Sequence, residues 1–168
     1  MNGLIIYETK YGSTRQYAEW LGEELGIPVT RAVETSPGEI SESEFLIVGT
    51  PVYYGKLRIK KWLQINAESL KGKSVYLFIV CGSKNKSEHE KIVADNIPAK
   101  LKDNIKVFFL RGRLIHSKLN FIDRIAMKLR VKAEKDPVVR EQMGNDLDEV
   151  KRENLEGVLN AVSVKVDR

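Results

Sequence analysis

Five short apolar runs alternate with helical patterns along this chain, and no other feature restricts its fold so tightly. The runs fall at residues 4–7, 27–33, 45–50, 74–81 and 105–110. They are close to continuously apolar, the pattern of strands covered on both faces. Between them lie segments of helical periodicity. Residues 13–25 place Tyr17, Ala18, Leu21 and Leu25 on one face, with Gly26 positioned as a C-cap. Residues 58–66 turn Ile59, Trp62 and Leu63 to one side, and a weaker pattern at 87–96 stops before Pro98. This alternation predicts an α/β fold, a doubly wound five-stranded parallel sheet with helices on both faces. Ligands of such sheets sit at the C-terminal strand ends, near the point where the strand order reverses. Three loops end there, at residues 9–14, 50–56 and 82–86.

With 168 residues, the chain suits a single domain over 1–168, carrying an elaborated basic segment at about 113–146. Its one cysteine, Cys81, excludes an internal disulfide and suits a reducing compartment. No apolar run approaches the roughly 20 residues of a membrane span. These features lead us to expect a cytoplasmic protein, with contact at the inner face of a membrane left open. The net charge of +5 is unevenly spread. Between Arg111 and Lys135 stand eight Lys or Arg against Asp123 and Glu134, and Lys56, Arg58, Lys60 and Lys61 form a second basic cluster. Such fields favour anionic partners, although any one lysine is most simply a solvated surface group.

The loop Thr9-Lys10-Tyr11-Gly12-Ser13-Thr14 carries the clearest chemistry. A strand that stops at hydroxyl residues and a glycine, with a helix beginning at once, aims backbone N–H groups at one point and suits a phosphate. Ser13 to Gln16 reads as a capping box with Ser13 at the N-cap. Neither G-x-x-x-x-G-K-[ST] nor G-x-G-x-x-G is present, so the phosphate is not expected to be that of a nucleoside triphosphate or a dinucleotide. A plain capped strand-to-helix turn is the simpler alternative. Tyr53 and Tyr54 in the second loop offer aromatic faces that could stack on a flat ring or serve as loop anchors. Cys81 reads as a small buried hydrophobe rather than a redox centre. His89 and His116 stand apart without ligand spacing, so no metal site is expected. The absence of G-x-S-x-G argues against a serine hydrolase. With Thr50 after the third run, the acid that a phosphoacceptor domain needs there is missing.

Taken together, these loops resemble the flavodoxin family. The stretch 9–14 is similar to that family's T-x-T-G-x-T phosphate loop for flavin mononucleotide (FMN), with Tyr11 in place of the middle threonine. Within the superfamily, Tyr54-Gly55, Arg111-Gly112-Arg113-Leu114 and Phe121-Ile122-Asp123-Arg124 followed by Met127-Lys128-Leu129 resemble the menaquinone-dependent protoporphyrinogen dehydrogenase branch. The resemblance implies a strand order of 2-1-3-4-5 and non-covalent FMN, with oxidoreductase chemistry at the flavin rather than at a catalytic side chain. It implies cofactor contacts from Thr9, Lys10, Tyr11, Gly12, Ser13 and Thr14, from Thr50, Pro51, Val52, Tyr53, Tyr54 and Gly55, and from Cys81, Gly82 and Ser83. Gly55 would let a peptide rotate toward the flavin N5. Partners would be a redox protein or a small anionic substrate, a porphyrinogen or a quinone, with no nucleic acid. A general electron carrier and a flavin-free binding module are the alternatives.

The segment beyond the fifth run departs from the alternation. Residues 121–131 form a basic helix whose apolar positions are Ile122, Ile125, Ala126 and Leu129, followed by a less regular stretch around Asp136-Pro137 and Gly144. Asp146 reads as the N-cap of a terminal helix containing Leu147, Val150, Val158, Leu159 and Val162. The basic helix either lies amphipathically on the sheet or docks on anionic lipid or an acidic partner. Arg111, Arg113, Lys118, Arg124, Lys128, Arg130 and Lys132 are the residues expected near substrate or membrane.

Overall fold

The computed structural model describes residues 2–166. In chain order its elements begin with β1 (Gly3–Tyr7), α1 (Ser13–Leu25), β2 (Val29–Arg31), α2 (Pro37–Glu42), β3 (Phe45–Tyr53), β4 (Lys56–Leu57), α3 (Lys60–Ile65), α4 (Ala67–Leu70) and β5 (Ser74–Cys81). They continue with α5 (Lys86–Asn96), β6 (Ile105–Arg111), β7 (Arg113–Leu114), α6 (Phe121–Ala133), α7 (Pro137–Gly144), β8 (Leu147–Asp148) and α8 (Glu156–Val166). The parallel strands run β2-β1-β3-β5-β6 across the sheet, which is the order 2-1-3-4-5 when those five are counted alone. The order reverses between β1 and β3, whose register pairs Gly3 with Phe45 and Tyr7 with Gly49.

Strand periodicity divides the core into two layers. On one face Leu4, Ile6, Leu46, Val48, Val75, Leu77 and Ile79 meet Ile40 of α2, Leu63 of α3, Leu70 of α4 and Ile92 of α5. On the other, Ile5, Ile47, Phe78 and Val80 meet Tyr17, Ala18 and Leu21 of α1 and Val158 and Val162 of α8. Each fully buried Leu, Ile or Val contributes about 1.5–3 kcal/mol. The central strands have almost no exposed side to tolerate a polar substitution.

Four local expectations are corrected. Ser13 is the first residue of α1 rather than its cap; Gly12 is the N-cap, in left-handed geometry with φ 89, and no side chain caps the first turn of the helix. The capping box of this chain lies elsewhere, at Ser36 and Glu39, and starts α2 inside a polar stretch with no strong helical periodicity. Asp146 does not open the last helix: its carboxylate accepts from the His116 N–H at 2.8 Å, Leu147 lies in β8, and β8 pairs with β7. The irregular stretch after α6 contains α7, capped by Asp136 with Pro137 in its first turn.

The fourth concerns α6, for which packing on the sheet was one of two alternatives and is set aside. Its apolar face does not lie on the sheet. Ile122 is 71% exposed and Leu129 63%, whereas Asp123 is buried at 6%. The helix is held to the molecule by a polar group and turns its apolar residues outward.

Candidate functional site

The β1–α1 connection is built around the start of α1. Gly12 takes a positive φ that side-chain-bearing residues avoid, and its N–H donates to Thr9 Oγ1 at 3.1 Å, closing the loop. Ser13 and Thr14 are buried at the helix start. Thr14 Oγ1 has no hydrogen-bond partner among the described residues, and neither has Glu8 Oε1 one residue before the loop. An unpaired buried hydroxyl at a helix N-terminus that no side chain caps fits an oxyanion brought by a ligand. The N-terminal N–H groups and the helix dipole favour negative charge there by up to about 2 kcal/mol in partly buried geometry. The residues present therefore fit the phosphate of FMN.

The second loop is a hairpin. Tyr53 pairs with Lys56 across two turn residues, Tyr54 at φ 51 and Gly55 at φ 73, the left-handed pair of a type I′ turn. Buried Asn96 pins it: its amide donates to the Gly55 carbonyl at 2.8 Å and its Oδ1 accepts from the Leu57 N–H at 3.1 Å. The turn at which the resemblance implies a peptide rotating toward a flavin thus has its Gly55 carbonyl held by Asn96. Thr50 is fully buried, and its hydroxyl accepts from the Ile59 N–H at 3.2 Å. That side chain anchors the hairpin exit, leaving backbone as what Thr50 can offer a ligand. Pro51 is buried and Val52 half-buried, while Tyr54 is exposed.

The third loop leaves β5 at Cys81, which is buried and whose thiol is pushed above its ordinary pKa by that burial. Arg111 Nη1 donates to the Gly82 carbonyl at 2.8 Å, and the same guanidinium pairs with Glu149. The Ser83 carbonyl lies 2.8 Å from His89 Nε2, and His89 stacks on Phe109 with ring centroids 3.7 Å apart. Arg111, expected near substrate, therefore positions Gly82. Arg113 is likewise engaged, at 2.7 Å from Asp148.

Asp123 joins these loops. From the first turn of α6 its carboxylate accepts from the Tyr11 hydroxyl, from the Tyr54 hydroxyl at 2.7 Å, and from Lys10 Nζ at 2.5 Å. Lys10 Nζ also lies 5.0 Å from the Tyr53 ring centroid, and the Tyr11 and Tyr53 rings meet edge-on at 6.2 Å. Burial alone would raise the Asp123 pKa, but hydrogen bonds from Lys10, Tyr11 and Tyr54 outweigh it and hold the carboxylate at about 2. Burial pushes the Tyr53 hydroxyl well above its ordinary value, with the nearby Tyr11 and Asp123 adding to the shift. Four of the expected residues, Lys10, Tyr11, Tyr53 and Tyr54, are brought into one cluster. Asp123 at its centre belongs to the stretch Phe121-Ile122-Asp123-Arg124 that carries the resemblance, but the sequence assigns it no site role. In sequence Asp123 is one of two acids in a basic segment, and Asn120, whose Oδ1 accepts from the Asp123 N–H, caps the helix that carries it.

Lys118, Lys128 and Lys132 pair with no carboxylate among the described residues. Arg130 lies 3.6 Å from Glu88, and Arg124 donates to the Leu119 carbonyl at 3.2 Å. No group of three or more metal-ligating side chains occurs among the described residues, and no helix there is long and apolar enough to cross a membrane.

Residues 4–139 match the family model of the flavodoxin domain. The chain belongs to the flavodoxin family, flavin-binding electron-transfer proteins whose cofactor is FMN. No curated protein matches it. Among solved structures, two-electron reduced flavodoxin from Megasphaera elsdenii is 18% identical, with 64% of this chain and 82% of that one covered and a TM-score of 0.47. A flavodoxin from the domain Archaea is 15% identical, covering 86% and 100% with a TM-score of 0.44. Rubredoxin oxygen:oxidoreductase from Desulfovibrio gigas is 13% identical over 86% of this chain and 36% of that one, with a TM-score of 0.45.

Proposed function

We propose that this protein is an FMN-dependent oxidoreductase acting on a small anionic substrate, with protoporphyrinogen as the substrate and a quinone as the electron acceptor. The observation that carries the cofactor part is the buried, unpaired Thr14 hydroxyl at the start of α1, which no side chain caps. When bound, FMN supplies the two-electron chemistry. The chain's own residues do the remainder. Ser13, Thr14 and the first N–H groups of α1 hold the phosphate. The hairpin at Tyr53 and Tyr54 and the Gly82-Ser83 loop border the ring, and Arg111 fixes Gly82.

Enzyme rather than open shuttle is favoured by the position of α6. A shuttle must present its flavin edge to a protein partner, whereas here Asp123 ties an additional helix to both the phosphate loop and the hairpin. The protoporphyrinogen reading rests on the sequence resemblance and on the basic segment that follows Arg111. Its test has two stages. The purified protein should be yellow and release FMN, not FAD, on denaturation. The loaded protein should then oxidise protoporphyrinogen with a quinone acceptor. A loaded protein that leaves protoporphyrinogen untouched while rapidly exchanging electrons with a ferredoxin-type protein would establish the carrier instead.

A further inference from the structure

We propose that α6 is a membrane-surface helix that lies in the plane of an anionic lipid layer. At about 100° per residue, Phe121, Ile125, Leu129 and Ile122 fall in one arc of roughly a third of the helix circumference. Phe121 is 75% exposed and Ile125 44%, so together with Ile122 and Leu129 this arc forms an apolar stripe that nothing among the described residues covers. The opposite side, centred on Asp123 and Met127, faces the protein. In a soluble domain the arrangement is normally the reverse.

Charge selects the occupant. The helix sequence FIDRIAMKLRVKA holds four basic residues and one acid, and the acid is the buried Asp123. Arg124 and Lys128 flank one edge of the apolar arc, and Lys132 falls within it at the C-terminal end of the helix, all three exposed. Exposed basic residues along one edge and at the end of an apolar face match a layer whose interior is hydrocarbon and whose surface is negative. A second copy of this chain would set these cations against their own kind. Neighbouring α7, packed against α6, exposes Val138 at 62%. The polar attachment through Asp123 leaves the apolar stripe free, because the helix is docked by the side chain that points away from it.

The inference is independent of which substrate the flavin serves, and its test reads binding rather than turnover. Co-sedimentation of the FMN-loaded protein is measured with vesicles of phosphatidylcholine alone and of phosphatidylcholine with phosphatidylglycerol. Binding is expected with the anionic vesicles, falling as salt is raised. Ile122→Ser/Leu129→Ser should weaken it about tenfold or more through lost apolar burial, and Lys128→Gln/Lys132→Gln should weaken it and reduce the salt dependence. Ile65→Ser, at an exposed apolar position on α3, should leave it unchanged. All of these positions are at the surface, and an unchanged melting temperature checks that each variant is folded. Absence of anionic-vesicle binding, or binding that both double variants retain in full, overturns the proposal. So does sedimentation-velocity detection of a dimer that Ile122→Ser/Leu129→Ser disperses without any vesicle binding, which would make the stripe an interface between copies.

Discussion

Thr14 carries a buried hydroxyl without a partner inside the chain, and such a group costs stability until something satisfies it. Thr14→Val removes the group while keeping its shape. The apo protein should hold its melting temperature or gain up to about 1 kcal/mol, while FMN affinity falls about ten- to a hundredfold through loss of one bond to a charged acceptor. Calorimetry of the apo variant and an FMN titration check the two halves. Asp123 behaves in the opposite sense. Asp123→Asn should cost about 1–3 kcal/mol of α6 docking, since Lys10, Tyr11 and Tyr54 lose a charged acceptor. Amide exchange of α6 should accelerate while that of β1 and β3 stays slow. Acid should act in the same way. The Asp123 pKa is lowered in the folded protein from 3.8 to about 2, so its contribution is complete above about 4 and disappears as pH falls toward 2. Faster α6 exchange confined to that window is the expected profile.

The hairpin of β3 and β4 is the element whose geometry depends most on one residue outside it. Asn96 is 2% exposed and serves both the Gly55 carbonyl and the Leu57 N–H. Asn96→Ala leaves two backbone groups without their partner and should destabilise the protein by about 2–4 kcal/mol. Measured by urea denaturation with and without FMN, the variant tests whether the Asn96 bond restrains the hairpin proposed to border the ring. Elements with period and punctuation were legible in the sequence, as α1 ending at Gly26 and β5 ending at Cys81 show. Others were written in cap chemistry alone: Ser36-Pro37 with Glu39, and Asp136-Pro137, start α2 and α7 without a long apolar pattern. Strands β7 and β8 are two residues each, too short for any alternation to register. For α6 the sequence shows an amphipathic helix but not which face turns inward, because one buried carboxylate with three donors can decide the matter against a stripe of aliphatic residues.

At the scale of the molecule, the sheet order and both apolar layers follow from the alternation of runs, and the three loops converge because their strands are parallel neighbours. The cross-links between distant segments are the part no local pattern foretold. Tyr17 of α1 is fully buried; its hydroxyl donates to the Arg111 carbonyl at 2.7 Å and accepts from the Asn154 amide at 2.6 Å. This ties the first helix to the end of β6 and to the chain entering α8. Tyr17→Phe should cost about 1–3 kcal/mol and lower the melting temperature by roughly 2–4 °C per kcal/mol in a chain of this size. FMN affinity of the folded variant should be little altered, since the lost bonds lie on the side of α1 that faces the core.

The central claim is that the β1–α1 loop holds the phosphate of a flavin. It is tested most directly by titrating apo protein with FMN and with riboflavin, which carry the same ring and differ in the phosphate, and following quenching of flavin fluorescence. FMN should bind far more tightly than riboflavin, and Thr14→Val should narrow that gap by weakening FMN alone. Equal affinity for the two flavins, or no binding of either, would contradict the account.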